Sequence, residues 1–489
     1  MGRWVPPAVL DFDGGRLVLG AWAAAVLAAG YVGARIISRL ADWGPAGPIA
    51  LIAAAPLVPR IHLIASLTAD DLLPLLGLGL LALRTPFPGL TSDRWARLAL
   101  LAVAVATIAR IASGVANGGG LEGTLLILVQ AVARPVVLLG IVAYTAATLP
   151  EDRRHRAIVV AIAAVGTYEA VFGLVAFTLG LPGGAGLQGA RAYTSVHNIC
   201  PGLISGTLGL SANHMGAMFV LSAPLTLALA VKAHGRTQWL WLLSGSAQMA
   251  ALLLTFTRSS TLLGVALVAA FLIYERRFVL LAALTAATAV LVVSATSIGC
   301  VPRSSEPGTG TPPGAVFGDR FSDGNDRLAL WYAAGRIMVD HPIFGVGLGL
   351  MLDTVKAEPE RYSDTPFGPA TSSAHNTILL AGAETGVLGA LAVASLNIVL
   401  AAIALRCAWR GRARGDPLLV AVGMVMIGYL VQGMVNNLFS IPATSSLLAL
   451  LVGGFVLPRS EAEPPPAGPS RASPYTPTAL ESTSSGEDH

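Results

Sequence analysis

Apolar runs of about 20 residues, enough to cross a bilayer core, recur along the chain with polar breaks between them. They cover Arg16–Ile37, Ala96–Ser113, Leu121–Tyr144, Ala157–Leu179, Asn213–Val231, Thr237–Thr257 and Ser259–Tyr274. Further runs follow at Phe278–Ile298, Gly386–Arg406, Leu418–Asn437 and Ser445–Leu457. Two weaker segments lie between Pro48 and Leu83, broken by Pro56, Pro59, Arg60 and the acidic pair Asp70 and Asp71. They read as two short spans, or as one span with a re-entrant piece. The pattern predicts an all-α fold, a polytopic membrane helix bundle of about 12 or 13 transmembrane helices. The first run lacks a small-residue cleavage site and reads as an uncleaved anchor.

The polar breaks carry the orientation. Arg153, Arg154 and Arg156, the turn from Lys232 to Arg236, the pair Arg276 and Arg277, and the cluster from Arg406 to Arg414 sit in short, regularly alternating loops. Basic residues collect on the cytoplasmic side, so the segments between them face outward. Those are the loops at about 180–212 and 299–374 and the corner at Arg258. Residues 1–459 form one integral membrane domain on this reading. The stretch 460–489, rich in Pro, Ser, Thr and Glu, is expected to be a disordered cytoplasmic tail.

Loops as long as the second outward one are usually functional or disordered. Val301–Gly314 is rich in Pro, Gly and Ser. Asp326–Asp340 turns amphipathic, with Leu328, Trp331, Gly335 and Met338 at helical spacing and Asn325 as N-cap, and predicts a helix along the membrane surface. The glycines Gly345, Gly347 and Gly349 that follow form a turn cluster; no strand-to-helix context makes them a nucleotide fingerprint.

Composition agrees with the pattern. Hydrophobic residues make up 54% of the 489, and charged ones 12%, about half the share in soluble domains. A soluble fold of this size needs a charged skin that this chain lacks. The net charge of +4 then reports topology, and no nucleic-acid partner is implied.

Three strings at these loops, LTFTRSSTLLG, DRLALWYAAGRIMVDHPIFGVGLG and SSAHNTILLAGAETGVLGAL, follow in order, with a long loop ahead of His375 and Asn376. In that order they resemble the core of the O-antigen ligase and O-antigen polymerase superfamily over roughly Arg191 to Leu391. The resemblance implies a multi-pass enzyme of the bacterial cytoplasmic (inner) membrane with an extracytoplasmic active site. Such an enzyme moves a glycan from undecaprenyl pyrophosphate, a lipid-linked oligosaccharide donor, to a glycan or lipid-glycan acceptor. Ligases, polymerases and protein O-oligosaccharyltransferases share this core.

That chemistry asks for particular residues. A departing pyrophosphate needs its charge held, and the planar guanidinium binds phosphate oxygens bidentately. The acceptor hydroxyl needs a base, most often His near neutral pH. By resemblance His375 is the candidate base and Arg258 and Arg191 the phosphate clamp, with Arg327, Arg320 and Asn376 as additional substrate contacts. Each also has a plainer reading. His375 stands near a helix cap, Arg258 could snorkel to headgroups, and Arg327 could be a solvated helix face. Asn376 and Glu384, which match the family pattern, could serve in capping and packing.

No cofactor is implied and no metal. The Asp11-Phe12-Asp13 spacing lacks further ligands, Thr68 explains Asp70 and Asp71 as a helix cap with acids in the first turn, and the histidines show no metal-ligand spacing. A polytopic transporter or flippase of lipid-linked saccharides without catalysis is the alternative; it should show broken helices or charges converging at mid-membrane. Only Arg134 and Glu169 lie there in the sequence, and they are expected to pair. Cys200 and Cys300 fall in outward regions and form a candidate disulfide, whereas Cys407 ends an inner helix.

Overall fold

A computed structural model of the chain describes residues 46–57, 62–64, 67–68, 71–84, 94–118, 120–148, 151–178, 204, 212–255, 257–299, 325–370 and 372–455. Several expectations lie outside these residues: the first span Arg16–Ile37, the tail 460–489, Asp11, Asp13, Asp70, Arg191, Arg320, Cys200 and Cys300.

The fold is an all-α membrane helix bundle. Among the described residues five helices are long and apolar enough to cross a membrane, and five shorter helices are apolar. In chain order the helices are α1 (Ala46–Ala53), α2 (Leu72–Arg84), α3 (Arg94–Asn117), α4 (Gly120–Leu126), α5 (Arg134–Thr148), α6 (Glu151–Thr178), α7 (Ala212–Lys232) and α8 (Gly235–Leu254). They continue with α9 (Arg258–Tyr274), α10 (Phe278–Gly299), α11 (Asn325–Asp340), α12 (Met351–Ala357), α13 (Thr377–Arg414), α14 (Pro417–Gly433) and α15 (Pro442–Phe455). Two short antiparallel hairpins, His62–Ile64 with Leu67–Thr68 and Asp364–Thr365 with Gly368–Pro369, escaped the sequence reading.

The weak stretch before Leu83 resolves into α1 and α2. At 13 residues α2 is about 20 Å long, short of a core about 30 Å thick. Leu72, the first residue of α2, follows Asp71, which accepts from the Thr68 hydroxyl at 2.9 Å. Asp71 also takes Arg134 in a fork, Nε to Oδ1 at 3.0 Å and Nη2 to Oδ2 at 2.9 Å. Asp71 is therefore a bidentate partner of Arg134 that the sequence reading did not anticipate. A one-sequence spacing argument compares neighbouring helices; the hairpin brings Asp71 in from a distant segment. The chain reaches Arg134 through a π turn over Ile127–Ala133, just ahead of Pro135, whose missing N–H interrupts the ordinary ladder.

The bundle is centred on α7, buried along nearly its whole length and packed on α6, α8, α9 and α14. Apolar burial drives the packing of such surfaces less in lipid than in water, so close approach and hydrogen bonds carry it. Both are present. A Cβ on Gly423 would stand 2.6 Å from the Ala404 carbonyl oxygen, so only glycine lets α14 lie so close to α13. Gln248 of α8 is the polar hub: Ser222 Oγ donates to its Oε1 at 2.7 Å, and its Nε2 donates to Thr226 at 2.9 Å and Thr167 at 3.2 Å. At the basic end, Asp416 caps α14 through the Leu418 N–H and pairs with Lys232 at 3.1 Å. Cys407, a buried free thiol, lies beside that turn.

Residues 325–374 build a smaller cap. The amphipathic helix is present as α11, but its buried face is Ala329, Leu330, Ala333, Ala334 and Ile337. Leu328, on the expected face, is exposed. Both faces of α11 carry apolar residues, so periodicity alone did not choose between them; the small alanines fit the closer contact. Asn325 is the first residue of the helix. Asp340 accepts from the Tyr362 hydroxyl at 3.1 Å and pairs with Arg361 at 3.0 Å, and burial together with Asp340 pushes the Tyr362 phenol up to about 12.

Candidate active site

The break in α13 sets the site. The predicted start of this span, Gly386, has φ 75° and ψ −174°, and splits α13 into a nine-residue piece, 377–385, and a long spanning piece. Backbone of the glycine turn fills the break: Val346 N–H donates to Ala383 O at 2.9 Å, Gly347 N–H to Glu384 O at 3.1 Å, and Val387 N–H to Pro342 O at 2.8 Å. A Cβ on Gly386 would stand 2.5 Å from the carbonyl oxygens of both Pro342 and Ile343. Gly345, Gly347 and Gly349 have φ of 62°, 108° and 72°, in the region L side chains avoid. The glycine cluster is therefore a plug in a broken helix. From α3, Ser113 Oγ donates to Glu384 O at 2.6 Å and Asn117 Nδ2 to Gly345 O at 3.3 Å. The Glu384 carboxylate faces the Arg110 guanidinium and accepts from Gly349 N–H.

His375 sits just ahead of the short piece. It is half-buried, with φ 47°, in a left-handed conformation that His visits more than most residues and that non-glycine residues retain where surrounding structure enforces it. Enforcement comes from both sides. Ala374 is fully buried in the cap core. Asn376 Oδ1 accepts from the N–H groups of Ile378 and Leu379, each at 3.0 Å, an N-cap that contributes about 1 kcal/mol. Asn376 Nδ2 donates to Met434 O at 3.0 Å.

Arg327, near the start of α11, donates through Nη1 to Val435 O. Its charge bears on His375, and that of Arg258 bears on it in turn. Arg258 opens α9 after Thr257, an extended residue whose hydroxyl meets that of Thr255 at 2.8 Å. Burial, then Arg327, hold the His375 imidazole below the ordinary histidine value; burial and Arg258 likewise lower Arg327. Three segments far apart in sequence thus bring Arg258 within electrostatic reach of Arg327, and Arg327 within reach of the His375 imidazole. Arg191 and Arg320 cannot be placed among them. The described residues hold no cluster of three or more His, Cys, Asp or Glu suited to a metal ion.

Residues 240–394 match a family model described as O-antigen ligase. This segment belongs to the O-antigen ligase and polymerase superfamily. No curated relative matches the chain. The ligase segment runs from within α8 into α13 and contains Arg258, Arg327, His375 and Asn376. It stops short of the turn after α14, whose carbonyls hold Arg327 and Asn376. Sequence reading took that turn for the end of a span, Leu418–Asn437, and missed it. The run Gln432, Asn436 and Asn437 was the available signal: three amides have no cheap place in a lipid-facing helix end.

Proposed function

We propose that the chain transfers a glycan from undecaprenyl pyrophosphate to an acceptor hydroxyl at the extracytoplasmic face of the cytoplasmic membrane. The convergence of Arg258, Arg327 and His375 carries the reading. The charge of Arg258 bears on Arg327, and a multiply charged anion beside the two would be favoured. Beside them a histidine with a lowered pKa is neutral at pH 7 and ready to accept a proton. In the reaction an imidazole nitrogen of His375 takes the acceptor's hydroxyl proton. The acceptor oxygen bonds to the anomeric carbon, whose bond to the pyrophosphate oxygen breaks, and Arg258 and Arg327 hold the charge that builds on the leaving group. Asn376 acts as cap and strut, positioning His375. Turnover should persist with a chelator present.

The test is to incubate purified protein with an undecaprenyl-pyrophosphate oligosaccharide, alone and with a lipid-anchored core saccharide, and identify products. Glycan on the core saccharide marks a ligase; chain growth without it marks a polymerase. One observation favours the transporter reading: α13 is broken at Gly386. The break, however, is filled by backbone. Donor movement across liposomes without pyrophosphate release would establish transport instead.

A further inference from the structure

The end of α14 and the turn joining it to α15 lie outside the ligase-family segment, yet among the described residues they touch each element that carries a candidate site residue. Four consecutive carbonyls accept from side chains across the site. Gly433 O takes Thr377 Oγ1 at 2.8 Å, Met434 O takes Asn376 Nδ2 at 3.0 Å, Val435 O takes Arg327 Nη1, and Asn436 O takes Thr377 Oγ1 at 3.3 Å. On the other flank, Gln432 Nε2 donates to Ser260 Oγ at 2.6 Å, in the first turn of the helix that Arg258 opens. Gln432 and Ser260 are buried.

We propose that residues 432–436 are an alignment bracket, with Thr377 positioning the base His375 and Gln432 positioning the clamp residue Arg258. The physical argument is one of geometry. His375 stands two residues ahead of α13 and Arg258 opens α9, two elements packed within a bundle whose apolar contacts tolerate sliding. Hydrogen bonds to a single rigid turn fix direction as well as distance. Helix ends at a glycine, Gly433, release carbonyls that have no partner within the helix, and here the donors that satisfy them come from the site. Thr377 spends one hydroxyl on two such carbonyls, two residues after His375. The bracket thus turns a helix end into a template.

This inference rests on the glycan-transfer reading above, and the two can be separated. Thr377→Val keeps the shape and loses the donor; Thr377→Ser keeps the donor. With an undecaprenyl-pyrophosphate oligosaccharide as donor and pyrophosphate-lipid release as readout, Thr377→Val should lower kcat by about 10- to 100-fold, the scale of a misplacement near 1 Å. Its donor KM should stay within about threefold, and Thr377→Ser should restore kcat. Gln432→Met should instead raise donor KM by roughly tenfold, with a smaller fall in kcat, because the clamp acts on binding as well as on departure. Elution profile and thermal midpoint report the folded fraction, to which all rates are scaled. A purely structural bracket would lower the amount of folded protein and leave both constants per folded molecule unchanged. That result, or a Thr377→Ser variant as impaired as Thr377→Val, overturns the proposal. A dead His375→Ala beside a normal Thr377→Val sinks the bracket alone. A fully active His375→Ala sinks the transfer reading, and the bracket with it.

Discussion

Two polar networks lie within this apolar bundle, and they are built to opposite plans. Around Gln248 the network closes on itself: amide and hydroxyls from α6, α7 and α8 serve one another inside buried apolar surroundings. At the candidate active site the network runs from side chains into backbone carbonyls. Arg327, Asn376 and Thr377 reach into backbone carbonyls of one helix end, beside the proposed base His375 and near the proposed clamp residue Arg258. On the proposed reading the first network supports the fold and the second the chemistry. The contrast predicts that mutations in the first lower stability at constant specific activity, and mutations in the second do the reverse.

The largest stability effect should come from a third polar contact of the closed kind. Asp71→Ala removes the carboxylate that takes Arg134 in a fork, and breaking a buried pair from one side costs roughly 3–5 kcal/mol. Denaturation in detergent should show the loss, while turnover per folded molecule is kept. Loss of turnover without loss of stability would move this pair into the mechanism.

Arg258→Lys tests the second network. Lysine keeps the charge and loses the planar fork, so it should fare nearly as badly as Arg258→Ala, with donor turnover down about 100-fold, or near 2.7 kcal/mol in the barrier. Stability should barely move. A lysine variant close to wild type would show that charge alone suffices.

Gln248→Leu gives the smallest effect. It leaves the hydroxyls of Thr167, Ser222 and Thr226 to find other partners, for about 1–3 kcal/mol of stability, with kcat unchanged. A fall in kcat would erase the contrast between the two networks.

Most of the bundle was legible because hydrophobic length is nearly all that a spanning helix needs. The expected runs match α7, α8, α9 and α10 to within a few residues. Gly386 was legible too, though as a helix start; the short piece ahead of it, from Thr377, is polar enough to read as loop. What stayed hidden depends on long-range placement. Nothing near Arg134 in sequence points to Asp71, because a hairpin delivers it. The glycines at 345, 347 and 349 announced a turn but not the broken helix it enters. The bracket was hidden most deeply, since backbone carbonyls leave no residue signature. His375, Arg258 and Arg327 were proposed from resemblance and chemistry, and the structure adds what neither supplied: Arg327 stands between the other two in its electrostatic influence.

The central claim is that His375 is the proton acceptor, in a site where burial and then Arg327 lower its pKa. The most direct test is the pH dependence of kcat/KM for donor turnover, in wild type and in His375→Ala. A base must be deprotonated, so activity should rise with pH through its pKa. Because burial, then Arg327, lower that pKa, the acid limb should fall below the ordinary histidine value of about 6.5. His375→Ala should lose at least about 100-fold at the plateau, and that limb with it. A folded His375→Ala that turns over near the wild-type rate, or that keeps the same acid limb, would contradict the account.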